Sequence, residues 1–296
     1  MPPGCLHAGL EVGPFDAVLG AEVVGADLAQ PLDDAFFTAL YDAFLRHHLL
    51  AFRNQRFSDD QHVAFARRWG KVQRHVLTQY VHQGNPEIFM LTNLDASGKP
   101  KGEHPDPGST IWHTDGSWAS ERGLSTMLYA VAVPQAGGDT LFANMHAAYD
   151  GLSGDMQARL EGLRAVHDLD YSRQLTGARE QMTEAQKRAA PPVEHPIVRV
   201  HPDTGRKCLY LGQHASHIVG LPVDEGRALI AALNAHSTQP QYTFTYRWSV
   251  GDAVIWDNRC LLHSATDFDW MTDVRIMRRT TTVGERLDPG AAIASP

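Results

Sequence analysis

His113 and Asp115 in "IWHTDGSW" set an imidazole and a carboxylate two residues apart. In extended backbone, side chains at i and i+2 share one face, so both can reach one small object such as a metal ion. An isolated H-x-D pair is usually a solvated loop. The pair gains weight from His263 in "WDNRCLLHSATDF", which follows a β-like run far along the chain. Two histidines and one carboxylate form a facial donor set suited to ferrous iron in oxygen chemistry. Half of an octahedron then stays open. A 2-oxo acid can fill two of those positions through its carboxylate and keto oxygens, leaving the third for O2. Its distal carboxylate needs a grip away from the metal, and Arg275 is suited to one through two charge-assisted hydrogen bonds. In "RIMRR" the strand period of two puts Arg275, Met277 and Arg279 on one face and Arg278 on the other.

Elements must hold these groups in place. "DDAFFTALYDAFLRHH" carries apolar residues at helical spacing behind acidic ones and runs into a short strand at "LLAFR". Ser58 and Gln61 make a capping box at the head of a second helix, with Gly70 at its C-terminal cap. Beyond it come short β-like runs: "EIFMLTNL", "LSTMLYAVAV", "DTLFAN", "HPIVRVH", "KCLYLG", "YTFTYRW", "AVIWDN" and "RIMRRTTTV". "HPDTGRK" reads as a hairpin connection. Helical interruptions are expected at "SGDMQARLEGLRAV", "TEAQKRAA" and "DEGRALIAALNAH". Many short strands without regular strand and helix alternation predict a mainly β chain with flanking helices, a sandwich or jelly roll. The polar stretch near 171–192 interrupts the strand pattern, as an active-site lid or a disordered excursion would. Otherwise one domain is expected over 1–296.

Histidine alone carries little information in a chain with sixteen of them. His47 and His48, His214 with His217, and His236 are read as surface or capping residues. Trp112, Trp118 and Trp256 are read as packing residues, with Trp118 a candidate cavity wall, and Arg259 as structural. The net charge of −8 disfavours nucleic acid and acidic lipid partners. No signal-like start or membrane-length apolar run is visible. Three scattered cysteines fit reduced thiols. A cytoplasmic location and a homo-oligomeric assembly are the expectations.

"WHTD", "GGDTLFAN", "WDNRCLLHSA" and "RIMRRT", in that order, resemble the TauD/TfdA family of Fe(II)- and 2-oxoglutarate-dependent dioxygenases. Taurine dioxygenase and the aryloxyalkanoate dioxygenases belong to it. The similarity runs from about Leu19 to Gly284. It implies a double-stranded β-helix, with Fe(2+), 2-oxoglutarate and O2 as cofactor and cosubstrates. By the same resemblance His113, Asp115 and His263 would bind iron, and Thr140 would share the distal carboxylate with Arg275. Arg279, His75 in "WGKVQRH" and the backbone N–H of Gly116 would meet the acidic head of a small anionic substrate. Thr140 as a plain strand residue, His75 as a solvated loop residue and Arg279 paired with Asp267, Asp269 or Asp273 stay open beside these roles. The presence of Asp115 favours hydroxylation over halogenation. "VHPDTGRKCLYLGQHASHIVG" with "WDNRCLLH" looks closer to the aryloxyalkanoate enzymes than to taurine dioxygenase, so an aryloxyalkanoate or similar carboxylate is the expected substrate. A sulfonate dioxygenase, a non-catalytic cupin-like binding protein and a zinc hydrolase are the alternatives.

Overall fold

The structure is a computed structural model that describes residues 10–104, 106–176 and 181–286. Its strands are β1 (Glu11–Pro14), β2 (Ala21–Val24), β3 (Leu49–Phe52), β4 (Lys71–Val72), β5 (Phe89–Thr92), β6 (Glu121–Ala132), β7 (Thr140–Asn144) and β8 (Arg164–His167). They continue as β9 (Val193–Pro196), β10 (Val198–Val200), β11 (Lys207–Leu209), β12 (Ala215–Ile218), β13 (Thr243–Tyr246), β14 (Ala253–Asp257), β15 (Leu261–Ala265) and β16 (Ile276–Arg286). The helices are α1 (Asp34–His47), α2 (Asp59–Trp69), α3 (Met145–Asp150), α4 (Gly154–Leu160), α5 (Leu169–Leu175), α6 (Glu184–Ala189) and α7 (Val223–Ser237).

A large sheet runs β1-β2-β3-β14-β6-β16-β4, with β5 also on β16, and smaller sheets run β13-β7-β15 and β12-β8-β9. Period-two patterning assigns the large sheet's two faces. Leu49, Ala51, Leu128, Ala130, Val254, Trp256 and Met277 turn inward to one core with Phe142, Ala143, Leu261 and Leu262 of the small sheet. Their neighbours Leu50, Phe52, Met127, Tyr129, Ala253 and Ile255 turn outward under Phe36, Leu40 and Phe44 of α1 and Phe65 and Trp69 of α2. Two sheets closing on one core, with helices on the outer face, make the jelly roll that the strand pattern predicts.

Local signals work where they are self-contained. The Asp33 carboxylate accepts from the Phe36 N–H at the start of α1, and Ser58 with Gln61 closes a full capping box on α2. β10 and β11 form the antiparallel pair flanking the expected turn. Corrections appear where pairing is distant. In "SGDMQARLEGLRAV" the helix stops at Leu160, and Arg164–His167 is a strand held between β9 and β12. The stretch near 171–192 carries the end of α5, an unexpected helix, and α6 within the expected "TEAQKRAA", while residues 177–180 lie outside the described residues. Of the two readings offered for His48, surface or capping residue, the structure takes the second. His48 adopts φ 64° at the C-cap of α1 and is only 3% exposed.

Cys208 and Cys260 are free and buried. Burial pushes the Cys208 thiol up to about 12 and also raises Cys260, so neither forms appreciable thiolate near pH 8. Iodoacetamide applied to the native protein is therefore expected to leave both unlabelled by peptide mapping, and to label both in urea. Arg259 is structural, as expected: Nε and one terminal nitrogen grip both oxygens of buried Asp257 at 2.8 and 2.7 Å, and His201 Nε2 lies 3.0 Å from the same carboxylate. Asp257→Ala leaves that guanidinium buried and short of its main partner. A loss of about 3–5 kcal/mol in urea unfolding is expected. No helix among the described residues is long and apolar enough to cross a membrane.

Candidate metal centre and its cavity

His263 sits on β15, and His113 is bridged to it by two backbone hydrogen bonds, His113 N–H to His263 C=O at 2.9 Å and the reverse at 2.7 Å. This pairing brings the two rings together with centroids 4.1 Å apart and planes tilted by 45°. The His113 Nδ1–H donates to the Ile111 carbonyl at 2.7 Å, which leaves the Nε2 lone pair free. Nε2 of His113 lies 3.9 Å from Asp115 Oδ1, and Nε2 of His263 lies 3.6 Å from Asp115 Oδ2. One donor atom from each residue lies within 4.8 Å of the others, and all three residues are buried. For such a triangle a point within about 2.8 Å of every donor always exists, so shifts of roughly half an ångström reach metal–nitrogen and metal–oxygen lengths near 2.0–2.2 Å. The donor set fits a divalent metal held on one face.

The carboxylate is oriented by a chain of donors. Thr126 on β6 donates to Asp115 Oδ2 at 2.7 Å and accepts from Asn258 Nδ2 at 2.9 Å, and Asn258 Oδ1 accepts from the Trp256 indole N–H at 3.0 Å. Arg279 donates to Asp115 Oδ1 at 3.3 Å. Burial alone would raise the Asp115 pKa, but Arg279, the two imidazoles and the Thr126 hydroxyl hold it well below the usual carboxylate range. Burial, with His113 beside it, pulls His263 down, so its ring is neutral and able to ligate. Gly116 has φ +72°, and a Cβ there would meet the Gly123 backbone at 2.7 Å, so glycine is required where the Asp115 loop crosses β6.

Arg275 precedes β16 and is 4% exposed. Its Nε–H donates to the Gly138 carbonyl at 3.2 Å, its backbone N–H donates to Asn93 Oδ1 at 2.9 Å, and Asp139 supplies the opposing charge. Burial dominates and pulls the guanidinium down to about 10, the mark of a cation short of counter-charge. Thr140, two residues beyond Gly138 on β7, accepts from the Trp248 indole N–H at 3.0 Å, which leaves its own O–H to donate. The buried cation and this free hydroxyl fit an incoming carboxylate. Arg278 turns to the opposite face as the strand period requires, pairing with Asp59 and lying 4.5 Å from the Tyr129 ring centroid.

A cavity of about 210 Å3 opens onto His113, Asp115 and Arg279. That is below the range usual for drug-sized ligands, so its occupant is small. Phe89, Trp118, Leu77 and Leu169 supply apolar wall, and the Arg279 guanidinium lies 4.3 Å from the Phe89 ring centroid. Arg279 pairs with Asp115 and not with Asp267, Asp269 or Asp273. His75 lines the cavity between Phe89 and Trp118, with centroids 4.7 and 5.3 Å away. Its Nδ1 accepts from the Leu77 N–H at 3.1 Å, and burial lowers its pKa to about 3, so it is neutral and presents Nε2–H. Gly116, Thr140 and Arg275 do not line this cavity. His214, read from sequence as a surface or capping residue, is buried on the cavity wall with Nδ1 2.8 Å from Ser172 Oγ. Thr126 and Asn93 carry no motif that distinguishes them from other polar strand residues, and Asn258, although inside "WDNRCLLHSA", takes no role from sequence.

Paired imidazoles and one carboxylate, buried between the sheets of a jelly roll, define a mononuclear non-haem metal enzyme. The family pattern described as "Taurine catabolism dioxygenase TauD, TfdA family" matches residues 11–281. The "Alpha-ketoglutarate-dependent 2,4-dichlorophenoxyacetate dioxygenase" of Cupriavidus pinatubonensis is 39% identical over 92% of this chain and 97% of its own length. The "(S)-phenoxypropionate/alpha-ketoglutarate-dioxygenase" of Sphingobium herbicidovorans is 36% identical over 93% and 95%. Among solved structures, "AAD-2 in complex with Mn(II) and N-oxalylglycine" superposes with a TM-score of 0.83 at 34% identity, covering 94% of this chain and 98% of that one. The chain belongs to the TauD/TfdA family of 2-oxoglutarate-dependent dioxygenases.

Proposed function

We propose that the chain hydroxylates a small aryloxyalkanoate or similar carboxylate, with His113, Asp115 and His263 as the iron ligands. The observation that carries this reading is the convergence of three buried donor atoms within 4.8 Å, from segments far apart in sequence, two of whose residues, His113 and Asp115, open onto a cavity with a cationic wall. Ferrous iron held there supplies oxidation of a substrate C–H by O2, coupled to conversion of 2-oxoglutarate into succinate and CO2. The protein's own side chains position the reactants. Arg275 and the Thr140 O–H bind the distal carboxylate of 2-oxoglutarate, a pairing supported by a buried guanidinium short of counter-charge. Arg279 and the Nε2–H of His75 bind the substrate's anionic head, with the Gly116 N–H as a further donor. Phe89 and Trp118 hold an aromatic body and exclude water. An aryloxy carbon that gains a hydroxyl collapses to a phenol and a carbonyl fragment.

Ser172, Arg173 and Thr176 line the cavity, which supports the reading of 171–192 as a lid over the substrate. One core shared by two sheets supports a single domain over 1–296. Buried free thiols support a reducing, cytoplasmic location, and the assembly is read as a homo-oligomer. A second substrate class, alkyl sulfates and sulfonates, is favoured by one observation: the "Alpha-ketoglutarate-dependent sulfate ester dioxygenase" of Pseudomonas putida is 34% identical over 93% of this chain.

The test is a panel of aryloxyacetates, aryloxypropionates, alkyl sulfates and sulfonates with Fe(II), 2-oxoglutarate and O2. Succinate and phenol in equal amounts from the aryloxy acids are expected. Turnover confined to sulfates or sulfonates overturns the substrate assignment, and succinate from no acid overturns the reading as a whole.

A further inference from the structure

Behind the small sheet, His48 at the C-cap of α1, His146 on α3 and Cys260 in the turn between β14 and β15 each offer a donor atom, and these lie within 4.8 Å of one another. They are 3%, 0% and 1% exposed. The His146 Nδ1–H donates to the Lys207 carbonyl at 2.8 Å, so Nε2 carries a lone pair, and it has no hydrogen-bond partner among the described residues. His48 Nδ1 is likewise unpartnered. Two buried ring nitrogens without a protein partner are costly unless something binds them. Neighbouring polar groups are already committed: His201 Nε2 faces Asp257, and Asp257 is held by Arg259. No step of the reaction proposed for His113, Asp115 and His263 uses this cluster.

We propose that His48, His146 and Cys260 form a second, structural metal site that takes a thiophilic ion of the Zn(II) class. Two imidazoles and one thiolate are a donor set suited to tetrahedral zinc, with a fourth position for water. For donors this close, a common point lies within about 2.8 Å of all three, and zinc lengths of about 2.0–2.3 Å are reached by small side-chain shifts. The Nδ1 bond to a backbone carbonyl is the outer contact that orients a ligating histidine. On binding, the Cys260 S–H bond breaks, the proton leaves to solvent, and sulfur donates its electron pair to the ion. No electron is transferred. The ion ties α1, α3 and the β14–β15 turn together three residues before His263. His48 C=O already accepts from the Asp257 N–H at 2.9 Å across the same junction.

Co(II) serves as the probe. Added to the metal-free full chain, it is expected to bind in two equivalents, and in one equivalent to Asp115→Ala, where a near-ultraviolet thiolate-to-cobalt charge-transfer band persists. Cys260→Ser in that background is expected to abolish the band, and Cys208→Ser to leave it intact. Zinc-loaded Asp115→Ala leaves His48, His146 and Cys260 unaltered and is expected to show one sulfur and two imidazole scatterers by X-ray absorption. No band in the unaltered chain, a band that survives Cys260→Ser, or a sulfur-free zinc shell each overturns the proposal. These readouts are independent of turnover, so failure of the substrate panel leaves them unaffected.

Discussion

Asp115→Ala is expected to abolish 2-oxoglutarate-dependent succinate formation, with kcat/KM falling at least about a thousandfold, some 4 kcal/mol of barrier or more. The carboxylate faces both histidines at 3.6 and 3.9 Å, and its loss leaves two neutral nitrogens to hold a dication. Arg279 also loses its partner and stays buried beside the vacated position, which repels a metal ion further. Iron content measured after desalting should fall with activity. Asp115→Asn separates chemistry from folding, since the amide oxygen still accepts from Thr126 and the side chain keeps its volume. It should fold with an unchanged circular dichroism spectrum yet bind iron weakly. Full turnover in either variant would remove Asp115 from the ligand set and with it the proposed mechanism.

The second large effect falls on the cosubstrate. Arg275→Met is expected to raise the KM for 2-oxoglutarate about 30- to 1,000-fold, the equivalent of roughly 2–4 kcal/mol for losing a buried charge-assisted pair. At saturating cosubstrate, kcat should recover most of its value, because the metal ligands are untouched. A merely structural arginine makes the opposite prediction for stability. The Arg275 guanidinium is buried, drawn down to about 10 and bonded by Nε to one carbonyl, so a methionine of similar length relieves a desolvation cost in the free protein. Unliganded Arg275→Met should therefore unfold in urea at least as late as the parent, while 2-oxoglutarate should stabilise it far less. An unchanged KM would show that the distal carboxylate is held elsewhere. Arg275→Lys should recover part of the affinity, as it keeps the charge without the planar fork.

Local chemistry made part of this protein legible from its sequence. Asp33, and Ser58 with Gln61, cap their own helices, so sequence neighbours decide the outcome. The alternation of Arg275, Met277, Arg278 and Arg279 needs only the strand period, because the register irregularity near Ile276 inserts its extra residue on β6 and leaves β16 in phase. The pairing of H-x-D with a distant histidine pointed to a metal by ligand chemistry alone. Short strands were less readable. β8 follows a helix by three residues, and only its pairing with β9 and β12 makes it extended.

What sequence alone determined was the inventory: which side chains could bind metal, 2-oxo acid and anion, and which elements would carry them. The tertiary structure decided which of sixteen histidines are buried, and against what. His48 and His214 read as surface or capping residues in the sequence; His48 does cap α1, but both are buried by the packing of distant segments. Asp115 owes its orientation to Thr126, Asn258 and Arg279, which lie 11, 143 and 164 positions away. Burial and long-range hydrogen bonding depend on where distant chain segments close on one another, and no local window of sequence contains that information.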